Sequence, residues 1–459
     1  MTPFRCNPLG ARVKPDGTVR LILDLSQPEG LSVNAHIDKD AFTVQYTSMD
    51  EAIQHIYAQG PRGALLAKAD LKHAFRLIPV LPSQRWLLGF QWNSTFFYDV
   101  RLPFGLRSAC AIFNDLADIL AITARFHAAH PHIHHYLDDF FFIGPADSAD
   151  CERAYDVFLT ICEQCKVPLS EQKCCAPSTK MELLGCVLNT ANMTISLPQA
   201  KLQALITLLR EIRASRTVRQ RRLLSLVGKL VHATKCIPAG RSFFRRLLDT
   251  AHSVHRPHHW VTIRRDTRLD LDWWLEMLPD WNGTAPLIHP TWTPAADLHL
   301  YTDASTVGFG GFCGAAWFSA PWPEATAEWA DSISWLEMIP ILAACLLWGS
   351  HWSGLRISMH CDNSGVVGAW EKGWSKDPRL MSLIRQALFA AARHSFALRI
   401  THINGSENAA ADALSRLQVA RFHRLHPAAE TSATPLPRPL TAFLAAPATE
   451  CTAASAWRI

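Results

Sequence analysis

Hydrophobic and polar positions change period several times along this chain, and each change predicts an element. KPDGTVRLILDLS (14–26) gives a turn signal at Pro15-Asp16-Gly17 and then an alternating strand. Residues 48–60 read as helix, and ALLAKAD (64–70) as a short buried strand ending in Asp70. FFYDVRLPFG (96–105) runs from strand into a Pro-Gly turn. SACAIFNDLADILAITARF (108–126) has helical periodicity, and SADCERAYDVFLTICEQC (148–165) predicts a helix opened by Ser148 or Asp150. MELLGCVLN (181–189) and MTISLP (193–198) read as a hairpin, and 199–250 as largely helical. A Trp-, Pro- and His-rich stretch, 252–296, reads as a connection. A second strand pattern starts at LHLYTDAS (298–305) and continues past glycines 308, 310, 311 and 314. A helix around 332–349, a strand at 355–361 and helices around 378–395 and 407–420 follow. The Ala/Pro/Thr-rich end predicts a mobile tail.

One short segment breaks the pattern. In HHYLDDFFFIG (134–144), Asp138 and Asp139 sit together between two apolar runs. Burying one unpaired carboxylate is costly, and two adjacent ones repel. A turn between paired strands would expose both at its tip, where two divalent cations would remove the repulsion. Mg²⁺ suits such a place, because it takes a few carboxylates plus phosphate oxygens. Two ions about 3.5–4 Å apart stabilise the attacking and leaving oxygens of an in-line phosphoryl displacement. Asp70, at the end of its own strand, is the natural third carboxylate.

Four later acids repeat the theme. Asp303 follows a strand, Glu337 lies on a helix, Asp362 ends a strand and Asp412 lies on a helix. Their spacing among alternating strands and helices suggests a second two-metal site, one that activates water. Pro340, three residues past Glu337, predicts a kink or turn there.

Charge adds a partner class. The net charge is only +5, but residues 210–246 hold eleven Lys/Arg against one acid, Glu211. That stripe predicts a polyanion partner. Half the chain is hydrophobic and 459 residues allow about three domains. No uninterrupted apolar run reaches the roughly 18 residues of a membrane span. The N-terminus lacks a signal-peptide pattern, and the 13 scattered Cys read as reduced thiols. The expectation is an intracellular protein of cytoplasm or nucleus, without a membrane partner.

KADLKHAF (68–75), LPFGLRSACAIF (102–113), YLDD (136–139), SEQKC (170–174) and ELLGCVL (182–188) occur in this order. The series resembles the successive motifs of a reverse transcriptase, and NPLGARVKPDGTVRLILDLSQPEGLSVNAHI (7–37) resembles that family's finger region. The resemblance implies metal ligation by Asp70, Asp138 and Asp139. Phe75 matches the aromatic that excludes a 2′-hydroxyl, Lys14 and Arg20 the finger cations on the triphosphate. Phe104 and Gly105 would line the nucleotide pocket. Lys173 would be a general acid for pyrophosphate, and Leu184-Gly185 part of the primer grip. The later series, TDAS…G.GG, then Glu337, DN, and N-x-x-x-D-x-LSR, resembles a ribonuclease H domain with Asp303, Glu337, Asp362 and Asp412 as metal ligands. Asn363 and Asn408 are weaker candidates for orienting ligands, and His402 reads as structural.

LVGKLVHATKCIPAGRSFFRRLL (226–248) and WLEMIPILAACLLWG…HINGSENAAADALSR resemble retrotransposons of the DIRS type, with gypsy-like elements next. The implied fold is α/β (α+β): a right-hand polymerase (fingers and palm 1–198, basic thumb-like segment 199–250), a connection (251–295), a ribonuclease H-like α/β domain (296–420) and a disordered tail (421–459). Arg219, Arg221, Arg222, Lys229 and Arg241 would track a duplex backbone. The implied ligands are Mg²⁺, two per site with Mn²⁺ able to substitute, an RNA template, a DNA primer, an RNA–DNA hybrid and dNTPs. The chain would be the core of a larger polyprotein, some of whose finger structure precedes it. The rivals are an inactive nucleic-acid-binding relic and a chain with ribonuclease activity alone. Cys162-x2-Cys165 with Cys174-Cys175 invites zinc, but its first pair falls on a predicted helix. The histidines of HAAHPHIHHY and HSVHRPHHW offer metal ligands too, but solvated loops are the simpler reading.

Overall fold

The computed structural model describes residues 4–13, 17–60, 62–281, 284–293, 295–329 and 332–445. It forms two compact units, one of residues 1–184 and 188–191, the other of 185–187 and 192–459.

In the first unit, β1 (Leu9–Val13) and β2 (Val19–Leu23) pair antiparallel. A capping box opens α1 (Met49–Ala58): Ser48 Oγ accepts from the Glu51 amide, and the Glu51 carboxylate accepts from the Ser48 amide. Next come β3 (Ala64–Asp70), the hairpin β4 (Gly89–Trp92) and β5 (Thr95–Tyr98), and α2 (Ala109–Ala128). β6 (Ile133–Tyr136) and β7 (Asp139–Pro145) flank the aspartate turn, followed by α3 (Asp150–Gln164) and β8 (Cys175–Ser178). The central sheet has the order β6-β7-β3-β8, and its register sets Asp70 opposite Asp139. Helices α2 and α3 cover one face, where Phe113, Ala117, Ala121, Phe158 and Ile161 enclose Phe140 and Phe142. Helix α1 contacts β7 as well. The buried run from Phe140 to Ile143 is thereby explained: a strand covered on both sides reads as continuous apolar sequence.

The stretch 181–189 is two strands, not one. Leu184 and Gly185, at φ of 48° and 81°, separate β9 (Lys180–Leu183) from β10 (Cys186–Asn189).

The second unit continues with β11 (Thr194–Ser196), α4 (Gln199–Ala214), β12 (Thr217–Arg219), α5 (Gln220–Ala233) and α6 (Arg245–His252). β13 (Trp260–Thr262), α7 (Arg265–Trp281) and β14 (Thr284–Pro286) follow. The expected connection thus contains a long helix with its own core. Trp273 stacks on Phe243 at 3.9 Å and 6°, and Trp274 Nε1 donates to Phe243 O at 2.9 Å.

The rest is a mixed sheet with helices: β15 (Trp292–Thr293), α8 (Ala295–Leu298), β16 (Tyr301–Ala304), β17 (Gly308–Cys313), β18 (Ala316–Pro321), α9 (Ile333–Trp348) and β19 (Arg356–Cys361). After these come α10 (Ser364–Lys372), α11 (Pro378–Arg393), β20 (Ala397–His402), α12 (Ala409–Ser415), α13 (Val419–Leu425) and α14 (Arg438–Ala445). β16, β17 and β18 pair antiparallel, and β19 pairs parallel with β16 and β20. Residues 333–352 are long and apolar enough to cross a membrane, but most of this stretch is buried inside the fold. Helix α9 continues through Pro340 rather than turning there. The fully buried Asp270 of α7 lies 2.9 Å from Arg385 of α11 and 3.7 Å from Arg246 of α6.

The tail expectation needs correction as far as residue 445. Trp317 Nε1 donates to Glu430 O at 2.7 Å, and the Thr434 amide donates to Trp317 O at 2.7 Å. Leu440 and Leu444 are buried in the same core as α9 and α11. Composition hid the spaced apolar positions that do this. Leu440→Ala is therefore expected to cost about 2–5 kcal/mol, seen as a lower thermal midpoint. An unchanged midpoint would restore the mobile-tail reading.

Candidate active sites

The aspartate turn lies at the end of the first unit's sheet. Asp138 falls in the β6–β7 turn after Leu137 (φ 55°), and its carbonyl accepts from the Leu71 amide at 2.9 Å. Two lysines offset the negative charge. Lys173 Nζ donates to both oxygens of Asp70, at 3.1 and 2.9 Å, and Lys68 Nζ lies 3.0 Å from Asp139 Oδ1. Burial pushes the Asp70 carboxyl up, but hydrogen bonds from Lys173, Ser170 and Asp139 outweigh it and hold it below the ordinary range. Asp138 is raised by burial and by the Asp70 charge. Asp139 is raised by burial and Asp70 against the pull of Lys68. Two carboxylates whose charge is disfavoured by burial and by a third, ionised one beside them fit a divalent-cation site.

A cleft of about 1130 Å³ opens beside them. It is lined by Arg20, Asp70, Asp138, Phe104 and Lys173, together with Lys72, His73 and Arg76. The Arg20 guanidinium lies over the Phe104 ring, 4.5 Å from its centroid. Phe75, Gly105 and Asp139 are not part of the lining. Phe75 packs one layer back, with ring centroids 5.3 Å from Phe104 and 5.6 Å from Phe113. Lys14 lies outside the described residues. Gly105 has a structural demand of its own: at φ 106°, a Cβ there would lie 1.9 Å from Leu23 O. Asn34 clamps the same loop, its Nδ2 donating to Gly105 O at 2.9 Å and its Oδ1 accepting from the Arg107 amide at 2.8 Å.

Sequence reasoning missed Lys68 and Asn34 as supports. Lys68 was findable, since it lies two residues before Asp70 on a strand and shares its face. Asn34 carries no local signal of its partner 71 residues away.

The second unit gathers the other four acids. β16 and β19 run parallel, so Asp303 near the end of one and Asp362 just past the other emerge at the same edge. Helix α9 brings Glu337 there, and carboxylate oxygens of Glu337 and Asp362 lie within 4.8 Å of each other. Helix α12 brings Asp412. It can approach because β17 is glycine-rich: a Cβ at Gly310 would sit 2.5 Å from Leu414 Cβ. Burial, then the charges of Asp303 and Asp362, push the Glu337 carboxyl up to about 9. Burial, with Asp362 and Asp412, pushes Asp303 up to about 7 against a hydrogen bond from Ser415. Glu337 Oε2 is buried without a hydrogen-bond partner among the described residues. An orphaned oxygen among repelling acids fits a cation.

Asp412 differs from the other three, being ion-paired to Arg416 at 2.6 Å and Arg421 at 3.2 Å. Asn408 Nδ2 donates to Asp303 Oδ1 at 3.3 Å and Thr302 O at 3.1 Å, so it orients Asp303. Asn363 caps α10. His402 Nε2 lies 3.1 Å from Asp362 O.

The basic stripe is partly neutralised, by Glu211 within it and by three aspartates outside its window. Arg213 pairs with Asp272, Arg222 with Glu211, Arg245 with Asp249 and Arg246 with Asp270. Arg219, Arg221, Lys229 and Arg241 are exposed, and Arg219 lies over the Trp260 ring. Leu184 and Gly185 form the positive-φ turn described above.

Residues 13–188 match the family model described as reverse transcriptase (RNA-dependent DNA polymerase). Over those residues the chain is similar to a reverse transcriptase domain. Among solved structures it is similar to a foamy viral protease–reverse transcriptase dRH in complex with double-stranded DNA. The identity is 15%, with 88% of this chain and 66% of that one covered and a TM-score of 0.51. A foamy viral protease–reverse transcriptase in complex with an RNA/DNA hybrid also aligns, at 15% identity over 86% of this chain and 50% of that one, TM-score 0.48. The first likeness bears on the fold alone. The chain spans just under two thirds of the first structure and half of the second. No curated protein matches the sequence.

Proposed function

We propose that this chain copies RNA or DNA into DNA at the Asp70–Asp138–Asp139 site. We infer further that it cleaves RNA in the resulting hybrid at the Asp303–Glu337–Asp362–Asp412 site. The observation that carries this reading is one cluster of carboxylates in each unit, with at least two members of each held above their ordinary range, the first cluster opening on a cleft lined by cations. Two Mg²⁺ ions per site, or Mn²⁺, would supply Lewis-acid activation of the attacking and leaving oxygens. The residues of the chain do the rest. Arg20, braced on Phe104, presents a planar fork to the triphosphate of a dNTP. Lys173, once Asp70 is otherwise engaged, is the cation beside the leaving pyrophosphate. Asn408 and Ser415 orient Asp303. The exposed Arg219, Arg221, Lys229 and Arg241, with the less free Arg222, would contact phosphates of template and primer, and binding would weaken with salt. In fold terms, the first unit would supply fingers and palm, 199–250 a thumb, and the sheet from β15 onward a ribonuclease H-like domain. The motif order supports an origin in a retrotransposon, most like the DIRS type.

The test is primer extension by the full chain on a labelled RNA template with Mg²⁺ and dNTPs. Extension accompanied by RNA shortening is expected. Shortening of a preformed hybrid without extension would leave only the ribonuclease. Binding with neither reaction would favour a relic.

Phe75 gives a narrower prediction. If its ring borders the incoming sugar, Phe75→Val should relax discrimination against ribonucleotides by about ten-fold or more. Its place behind Phe104 sets the contrary outcome: a lower thermal midpoint with discrimination unchanged would make it core packing alone.

A further inference from the structure

Three histidines converge on the sheet of the first unit, away from the carboxylates. His132 and His134 stand two residues apart where the chain enters β6, so their side chains share a face. His55 reaches them from α1. The ring nitrogens of all three lie within 4.8 Å of one another. The His55 ring centroid is 4.5 Å from that of His134 and 4.8 Å from that of His132. His130 stands beside them, but its Nε2 is engaged with Ile143 O at 2.8 Å and anchors the strand. The nucleotide-transfer reading uses none of these groups.

The simplest alternative is a packed aromatic cluster. Against it stands His134 Nε2, which is buried and makes no hydrogen bond among the described residues. Sealing off an unpaired polar atom costs about 1–3 kcal/mol, which a Leu or Phe at that position would avoid. The protonation state agrees. Burial, then His55 and neighbouring cations, push His134 down to about 3. Burial lowers His55 and His132 as well. All three are therefore neutral at pH 7, with a lone pair to offer. Imidazole nitrogens select borderline transition-metal ions over hard Mg²⁺. A tetrahedral site with Zn–N of about 2.0–2.1 Å needs nitrogens roughly 3.4 Å apart. The present separations, within 4.8 Å, would have to shorten to that value on binding, and three ligands leave the fourth position to water.

We propose that His55, His132 and His134 form a Zn²⁺ site that clips α1 to the hairpin carrying the aspartate turn. The test titrates the full chain, free of any polyhistidine tag, with Zn²⁺ in excess Mg²⁺ against a chromophoric chelator. One Zn²⁺ per chain is expected, with only nitrogen and oxygen in its first shell by X-ray absorption and a raised thermal midpoint. His55→Gln and His132→Gln should each weaken binding by about 100-fold, at least the loss seen for a metal's outer-shell partners. His55 lies on a helix rather than in the sheet, so His55→Gln should leave the metal-free midpoint unchanged. Sulfur in the shell would move the ion to the cysteines and overturn the proposal. So would binding that both variants retain, or no binding that survives excess Mg²⁺.

Discussion

Asp138→Asn is expected to abolish primer extension while leaving cleavage of a preformed RNA–DNA hybrid intact. Among the three carboxylates of the first site, Asp138 gives the cleanest test. Asp70 holds Lys173 through both oxygens, and Asp139 holds Lys68, so neutralising either strands a lysine. Asp138 makes no such ion pair among the described residues. Its charge is disfavoured by burial and by Asp70. An isosteric amide removes that repulsion, so the fold should be at least as stable. What is lost is a metal ligand. Several kcal/mol of transition-state stabilisation corresponds to a rate loss on the order of 10³ or more. The measurement is steady-state extension with a thermal melt alongside it. Retention of more than about a tenth of the wild-type rate, with an unchanged melt, would sink the assignment. Loss of hybrid cleavage as well would argue against two separate sites.

The sequence reading succeeded where chemistry and periodicity coincide. β3 was legible to the residue, because ALLAKAD is apolar, bounded by Gly63 and ended by a charge. The proximity of the seven carboxylates in two groups was foreseeable, because acids set among apolar residues at strand ends and on helices stand out from their neighbours. What stayed hidden depends on partners distant in sequence. Nothing local in 252–296 reveals that Trp273 and Trp274 pack on Phe243. The basic stripe looked uncompensated because Asp249, Asp270 and Asp272 lie beyond its window. The histidines before YLDD looked like a solvated loop because His55, on α1, is 77 residues before His132. The turn that Pro340 allowed does not occur. A helix buried nearly all round has tertiary packing enough to carry a proline.

The second site should announce itself through pH and metal together. In the folded chain Glu337 titrates near 9 rather than its ordinary 4.5, and Asp303 near 7 rather than 3.8. Between each ordinary value and its raised one, the folded state keeps a proton that the unfolded state has released. Stability in chelator therefore falls as pH rises from about 4 towards 9 and levels off above that. Divalent cations bind the deprotonated carboxylates, so they oppose this loss most strongly at high pH. The gain in thermal midpoint on adding Mg²⁺ should thus be larger at about pH 8.5 than at about pH 6. Hybrid cleavage at limiting Mg²⁺ should rise over the same interval. Asp362→Asn should erase most of the Mg²⁺-dependent gain and cut hybrid cleavage by a factor on the order of 10³, with primer extension retained. Glu337→Gln should lose cleavage too, yet raise the metal-free midpoint at alkaline pH, because an amide has no proton to hold. An equal Mg²⁺ effect at both pH values, or cleavage that survives Asp362→Asn, would mean that these acids are buried for packing and hold no metal.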